Sequence, residues 1–277
     1  MNALSGTDAL IPLPGGSQGI GRDVSAGGAG LRRFGIYEGD LGLDFASPNR
    51  AALVTRLLES CAVDPADNLP DNFFRDLSVG KRIECLLRLA AGGSAATLGF
   101  SFKCAGCGEE IEFELTLREI SELQGETDLT ETVGVDIGGR RMEFRKPTGR
   151  DQELWGKMIF SDEHDAAAGM IGTLAALPGS FERLQPDEFS AVEEGLDAAD
   201  PLVNFSCGVR CGECGELNEH QIDLTETALD MLNRAQKQLV ITVHRLASHY
   251  HWSEPEIFAV PDWRRQQFLE LIGAISK

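Results

Sequence analysis

Two stretches roughly a hundred residues apart repeat one another, and together they restrict what this chain can become. KCAGCGEEIEFELTL begins at Lys103 and RCGECGELNEHQIDL begins at Arg210. Both read basic-C-x-x-C-G-E, with a matching glutamate at Glu112 and Glu219 and a matching leucine at Leu117 and Leu224. Each copy then runs into a helical pattern. The glycine after each second cysteine permits a tight turn in which backbone N–H groups face the sulfurs. Two such knuckles supply four thiolates, and zinc accepts four thiolates at about 2.3 Å in a closed tetrahedron. Cys104, Cys107, Cys211 and Cys214 are therefore the expected metal ligands, with Zn2+ as the expected cofactor. Because sulfur fills every coordination position, the metal is expected to be structural rather than catalytic.

The stretch FSCGVRCGECGE, residues 205–216, holds a third cysteine. Aligning the repeats sets Cys207 opposite Phe100 and Val209 opposite Phe102, which makes Cys207 an apolar strand residue and a bystander to the metal. Cys61 and Cys85 fall on helical patterns and read as small buried side chains. The chain has seven cysteines, an odd number. It has no apolar run near the ~20 residues of a membrane span and no leader-like start, so it reads as soluble and cytosolic. In that reducing setting clustered C-x-x-C pairs favour metal over disulfides.

Charge narrows the partners. With 44 acidic and 25 basic side chains the net charge is −19, which repels a phosphate backbone and forgoes the counterion release that drives nucleic-acid binding. A zinc-ribbon nucleic-acid or transcription accessory protein is thus the alternative reading, favoured by the knuckles and opposed by the charge. GGSQGIGR, Gly15 to Arg22, looks like a dinucleotide-binding turn. Pro12 and Pro14 spoil the preceding strand, however, and VSAGGAG cannot form the following helix. No nucleophile elbow, H-E-x-x-H helix or phosphate loop appears, and no catalytic residue is assigned. His244, His249 and His251 lack the spacing of a second metal site and read as surface or cap residues.

The expected fold is α+β, mainly helical. Two zinc-knuckle β-hairpins form a split zinc-ribbon-like unit, and a long C-terminal helix follows. Residues 1–33 read as a disordered glycine-rich tail, 34–97 as an N-terminal helical region, 98–224 as the knuckle hairpins with an α/β insertion, and 225–277 as a C-terminal helical region. SPNRAALVTRLLESCA predicts a helix with Ser47 as cap and Pro48 at its first position. LSVGKRIECLLRLAAGG predicts another, with Ile83, Leu86, Leu87 and Ala90 on one face. Capping boxes are signalled at Thr116 with Glu119 and at Ser253 with Glu256. A second hairpin is predicted over 133–144 around a two-glycine turn, and Thr148 is placed to cap the helix after it. The helix over about 225–250 carries Leu229, Leu232, Gln236, Leu239, Val243, Leu246 and Tyr250 at alternating steps of three and four, an a/d seam expected to pack within the chain. Trp252, Trp263 and Phe268, with Arg264 and Arg265, could serve an interface or close the helical core.

The ordered series LSVGKRIECLLRLA, FKCAGCGEEIEFEL, FRKPTGRDQELW, CGECG and LASHYHWSEPEIFAVPDWRRQQFLELI resembles the T4-type baseplate proteins of contractile phage tails and related injection systems. That group includes a hub subunit and a hub assembly chaperone. The resemblance covers about residue 45 to the end of the sequence. It implies a non-enzymatic structural or chaperone-like role in building the baseplate hub, with other baseplate or tail hub proteins as partners. It places the protein in the cytoplasm of the producing cell during assembly, or in the baseplate of the finished particle. Some relatives lack the knuckles, so zinc rests on this sequence alone.

Overall fold

Helices build the core and hairpins carry the knuckles in the computed structural model, which describes residues 10–14, 28–92, 96–127, 132–175 and 186–275. The chain is α+β with small antiparallel sheets, as its periodicities imply. Strands β1 (Ile11–Pro12), β2 (Gly30–Leu31) and β3 (Ala62–Val63) form one antiparallel sheet in that order. At residues 10–14 and 28–33 the chain is therefore ordered, where the sequence reads as a disordered tail; residues 1–9 and 15–27 lie outside the described residues. Ile11, Leu13 and Leu31 are buried in the main core, and Arg32 makes a buried ion pair with Asp40 at 2.7 Å. Strands of two residues offer no period to read; they are held by pairing and burial instead. The Gly15 to Arg22 motif lies outside the described residues.

Helices α1 (Arg50–Cys61), α2 (Phe73–Asp76) and α3 (Val79–Ala91) follow. The cap of α1 is Asn49, whose Oδ1 accepts the Ala52 N–H at 3.0 Å, and not Ser47. Asn and Ser are comparable caps, and the one whose oxygen reaches the orphan amide takes the role. α3 starts at Ser78 and stops at Gly92, in the left-handed conformation that glycine adopts freely. It is buried on more than its apolar face, because Arg82 lies inside. That guanidinium donates to the Ala51 carbonyl at 2.8 Å, to Thr55 Oγ1 at 3.0 Å and to the Phe74 carbonyl, tying α3 to α1 and α2. Burial lowers its pKa to about 10. Cys61 and Cys85 are fully buried, as expected, and burial pushes their thiols up to about 11 and about 12.

The first hairpin pairs β4 (Thr97–Lys103) with β5 (Glu110–Thr116) and leads into α4 (Leu117–Thr127). The capping box is present: Thr116 N–H donates to Glu119 Oε2 at 2.8 Å and Glu119 N–H donates to Thr116 Oγ1 at 3.2 Å. The second hairpin, β6 (Thr132–Ile137) and β7 (Arg140–Arg145), turns through Gly138 and Gly139. Both have positive φ, as a two-residue hairpin turn requires. Then come α5 (Gly149–Trp155), α6 (Glu163–Leu174) and α7 (Pro186–Ala199). Val135, Ile137, Phe144, Ile171, Leu174, Phe189 and Val192 form a second core between this hairpin and helices α6 and α7.

Thr148 caps α5 together with Asp151, whose carboxylate accepts the Thr148 N–H at 2.8 Å and both terminal nitrogens of Arg145 at 2.6 Å each. Burial raises the Asp151 pKa, but the hydrogen bonds from Arg145 and Thr148 outweigh it, and the net shift is downward. A depressed pKa means that its stabilisation is present above the ordinary aspartate value of about 3.9 and is lost as pH falls through the lower folded value. Asp151→Asn is expected to cost about 2 kcal/mol at pH 7, allowing for a half-exposed Arg145. The difference should shrink in acid below the folded value, as read by urea unfolding across pH.

The third hairpin, β8 (Ser206–Arg210) with β9 (Leu217–Gln221), feeds α8 (Leu224–Tyr250), which Asp223 caps by accepting the Glu226 N–H at 2.8 Å. Helices α9 (Glu254–Ala259) and α10 (Asp262–Ile275) complete the described chain. The a/d seam of α8 is buried within the protein. Leu229 and Leu232 join the main core, and Val243 and Leu246 join a cluster with Ile257 and Ile272. Gln236, the polar residue in the seam, donates to the carbonyls of Asp40 and Leu43 at 2.9 and 2.8 Å, which sets the helix against the 3-10 turn Glu38–Gly42. Tyr250, Trp252 and Phe268 pack together, Arg265 is buried over the Phe258 ring, and Trp263 is exposed. Among the described residues no helix is long and apolar enough to cross a membrane.

Candidate metal centre

The first and third hairpins present their turns to each other. In each, the first cysteine leaves the strand and the chain reverses through a tight turn closed by the same two backbone hydrogen bonds. Cys104 N–H donates to the Glu109 carbonyl at 2.8 Å and Gly108 N–H to the Cys104 carbonyl at 2.9 Å. Cys211 N–H to Glu216 and Gly215 N–H to Cys211 repeat them at 2.9 and 3.0 Å. Gly108 and Gly215 have φ of +79° and +74°, the left-handed region where a side chain is strained. The C-x-x-C-G spacing is thus a backbone requirement as much as a ligand pattern.

All four predicted ligands come together. The sulfurs of Cys104, Cys107, Cys211 and Cys214 lie within 4.8 Å of one another. Cys104 to Cys214 and Cys107 to Cys211 are each 3.6 Å apart, every cysteine being reduced. Bonds of ~2.3 Å in a tetrahedron imply sulfur–sulfur edges of about 3.8 Å, whereas a disulfide requires about 2.05 Å. The spacing suits a metal ion bound between the sulfurs. Cys104 and Cys211 are buried and Cys107 and Cys214 exposed, so one edge of the tetrahedron faces the protein and the other faces outward.

The sulfurs also differ electrostatically. The Cys107 N–H, aided by the Gly106 N–H and Asn218, holds the Cys104 thiol down at about 6. For Cys107 the Glu109 N–H pulls the same way, but burial and the neighbouring sulfurs outweigh it and push the thiol up to about 12. Four thiols this close cannot all ionise without a cation between them. A divalent ion removes that conflict, which is the chemical sense in which these residues fit one.

Cys207 lies where the repeat alignment puts it. It pairs with His220 across the hairpin as Phe100 pairs with Phe113, and it packs toward the main core, apart from the four clustered cysteines. Val209 and Phe102 occupy equivalent places in a small apolar cluster with Ile111 beneath the sulfurs. The imidazole of His220 stacks on Phe102 at 4.6 Å, joining the hairpins. His244 and His249 are exposed and His251 ends α8 in the left-handed conformation; among the described residues they form no metal-binding group.

One residue of the centre escaped the sequence reading. Asn218 is buried between the turns, and its Oδ1 accepts the Ala105 N–H at 2.8 Å. Its Nδ2 donates to the Glu216 carbonyl at 3.1 Å and to Cys104 Sγ at 3.5 Å. The signal was available, because the repeat sets Asn218 opposite Ile111, a polar side chain at the twin of a core position. The chain is matched by no protein-family model, no curated protein and no solved structure.

Proposed function

We propose that the four cysteines hold one structural Zn2+ and that the protein is a non-enzymatic structural or assembly factor of a contractile-tail baseplate hub. The observation that carries the zinc reading is the closed set of four sulfurs, with spacing suited to a tetrahedral ion and no position left for water or substrate. Zinc is favoured over redox use of the thiols because its four-thiolate tetrahedron matches two C-x-x-C turns, and softer sulfur ligands select it over magnesium or calcium. The assembly role is supported by the resemblance of the ordered series of motifs to those of baseplate hub proteins, and the net charge of −19 disfavours the nucleic-acid alternative. The partners would be other baseplate or tail hub proteins.

Metal analysis of the purified chain tests the first half. About one zinc per chain is expected, as one tetrahedral site requires. Cys207→Val should keep it and Cys211→Ser should lose it. Zinc lost from the valine variant would put the bystander on the wrong side of the hairpin. Co-purification with the hub proteins of the same tail tests the second half; salt-sensitive DNA binding with no hub association would favour a nucleic-acid accessory role instead.

A further inference from the structure

The two halves of the centre repeat in sequence yet differ at one point of chemistry. Ile111 and Asn218 are equivalent in the repeat, both buried below the sulfurs, one apolar and one with two donors and an acceptor. The orientation of the Asn218 amide is set by its neighbours. The Ala105 N–H can only donate and the Glu216 carbonyl can only accept, so Oδ1 faces the first turn and Nδ2 faces the second. In that orientation Nδ2 also reaches Cys104 Sγ. One side chain therefore spans both turns and gives a sulfur a hydrogen bond that the isoleucine at its twin position cannot supply.

We propose that Asn218 is a positioning residue of the metal centre: it registers the two knuckles against each other and stabilises the Cys104 thiolate. The inference rests on the zinc reading above and deepens it. A divalent ion with four thiolates carries a net charge of −2, and the turns add Glu109, Glu110, Glu213 and Glu216 around it. N–H donors to sulfur offset that excess, and partners outside the ligand set usually matter for affinity. Asn218 also makes the site unequal. Cys104 is buried and receives the Asn218 side-chain amide, while Cys107 and Cys214 are exposed and are reached by the backbone N–H groups of Glu109 and Glu216.

Cobalt(II) titration of the full chain tests this, because cobalt reports thiolate ligation in its charge-transfer bands. Asn218→Leu is expected to bind one cobalt ~10–100-fold more weakly. Its sulfur-to-metal charge-transfer band should move to lower energy, since a thiolate without an N–H donor gives up charge more readily. Asn218→Asp keeps an acceptor for Ala105 but places an anion beside Cys104, and should bind more weakly still. A leucine variant with wild-type affinity and an unshifted band would reduce Asn218 to packing and overturn the proposal. If that variant does not fold, wild-type affinity and band position in the aspartate variant would overturn it equally. A wild-type chain that takes up no tetrahedral cobalt would overturn the zinc reading itself, and this inference with it.

Discussion

Replacing Cys104 by serine is expected to release the metal and melt the paired hairpins while the helical core around α1, α3 and α8 stays folded. The apolar cluster under the sulfurs is small, consisting of Cys104, Ile111 and Cys211 with Phe102 and Val209 at its margin. Two-stranded hairpins have little stability of their own in water, so on the zinc reading the junction would depend on the ion. A metal held by the four cysteines would join residues roughly a hundred positions apart. A cross-link closing a loop of that length contributes about 4–5 kcal/mol in the chain-entropy model. A loss of this size is expected for Cys104→Ser, and for the wild type after chelation, in urea unfolding followed by far-UV circular dichroism. The α8 helical signal should survive both. A variant that unfolds at the wild-type urea concentration would show that the hairpins hold without the metal.

Gly80→Ala is expected to destabilise the protein by about 3 kcal/mol, against the usual direction for a helical glycine. In an exposed helix the change stabilises by up to about 1 kcal/mol. Here Gly80 lies in the first turn of α3, where amides lack helical partners, and its N–H donates at 3.0 Å to Oδ2 of the buried Asp200. The Gln124 side-chain amide donates to the other oxygen at 2.8 Å. Asp200, just beyond α7, thus caps α3 from 120 residues away and draws α4 in as well. A methyl group on Gly80 would fall 1.8 Å from Asp200 Oδ1, so the carboxylate must leave. Losing a hydrogen bond to a charged group costs about 1.5–3 kcal/mol and overpacking about 1–3 kcal/mol, which together exceed the helical gain. Thermal and urea unfolding should agree on the sign, and a neutral or stabilising result would remove Asp200 as the cap.

The cysteines were legible because the chain states the same turn twice, and each copy serves as a check on the other. The register that set Cys207 apart came from that repetition, as did the match of Val209 to Phe102. The seam of α8 was legible from its steps of three and four. Features fixed by distant partners were not. Nothing local to Gly80 announces Asp200, and nothing near Pro12 or Gly30 announces the sheet that β3 completes. The start of α1 was misplaced by two residues because Ser47 and Asn49 are both good caps, and the choice belongs to geometry. Asn218 was missed for a different reason: the repeat was searched for what its copies share, and this residue works through what they do not.

The distance between the knuckles also has a consequence in time. Synthesis runs from the first to the second, and at about 5–20 residues per second the interval is on the order of 5–20 s. Throughout that interval Cys107 and its neighbour wait as half a site. A newborn chain therefore spends seconds as a two-thiol chelator open to copper, to oxidants or to another copy in the same condition. The matching half, and with it a closed set of four sulfurs, arrives only when Cys214 has been made.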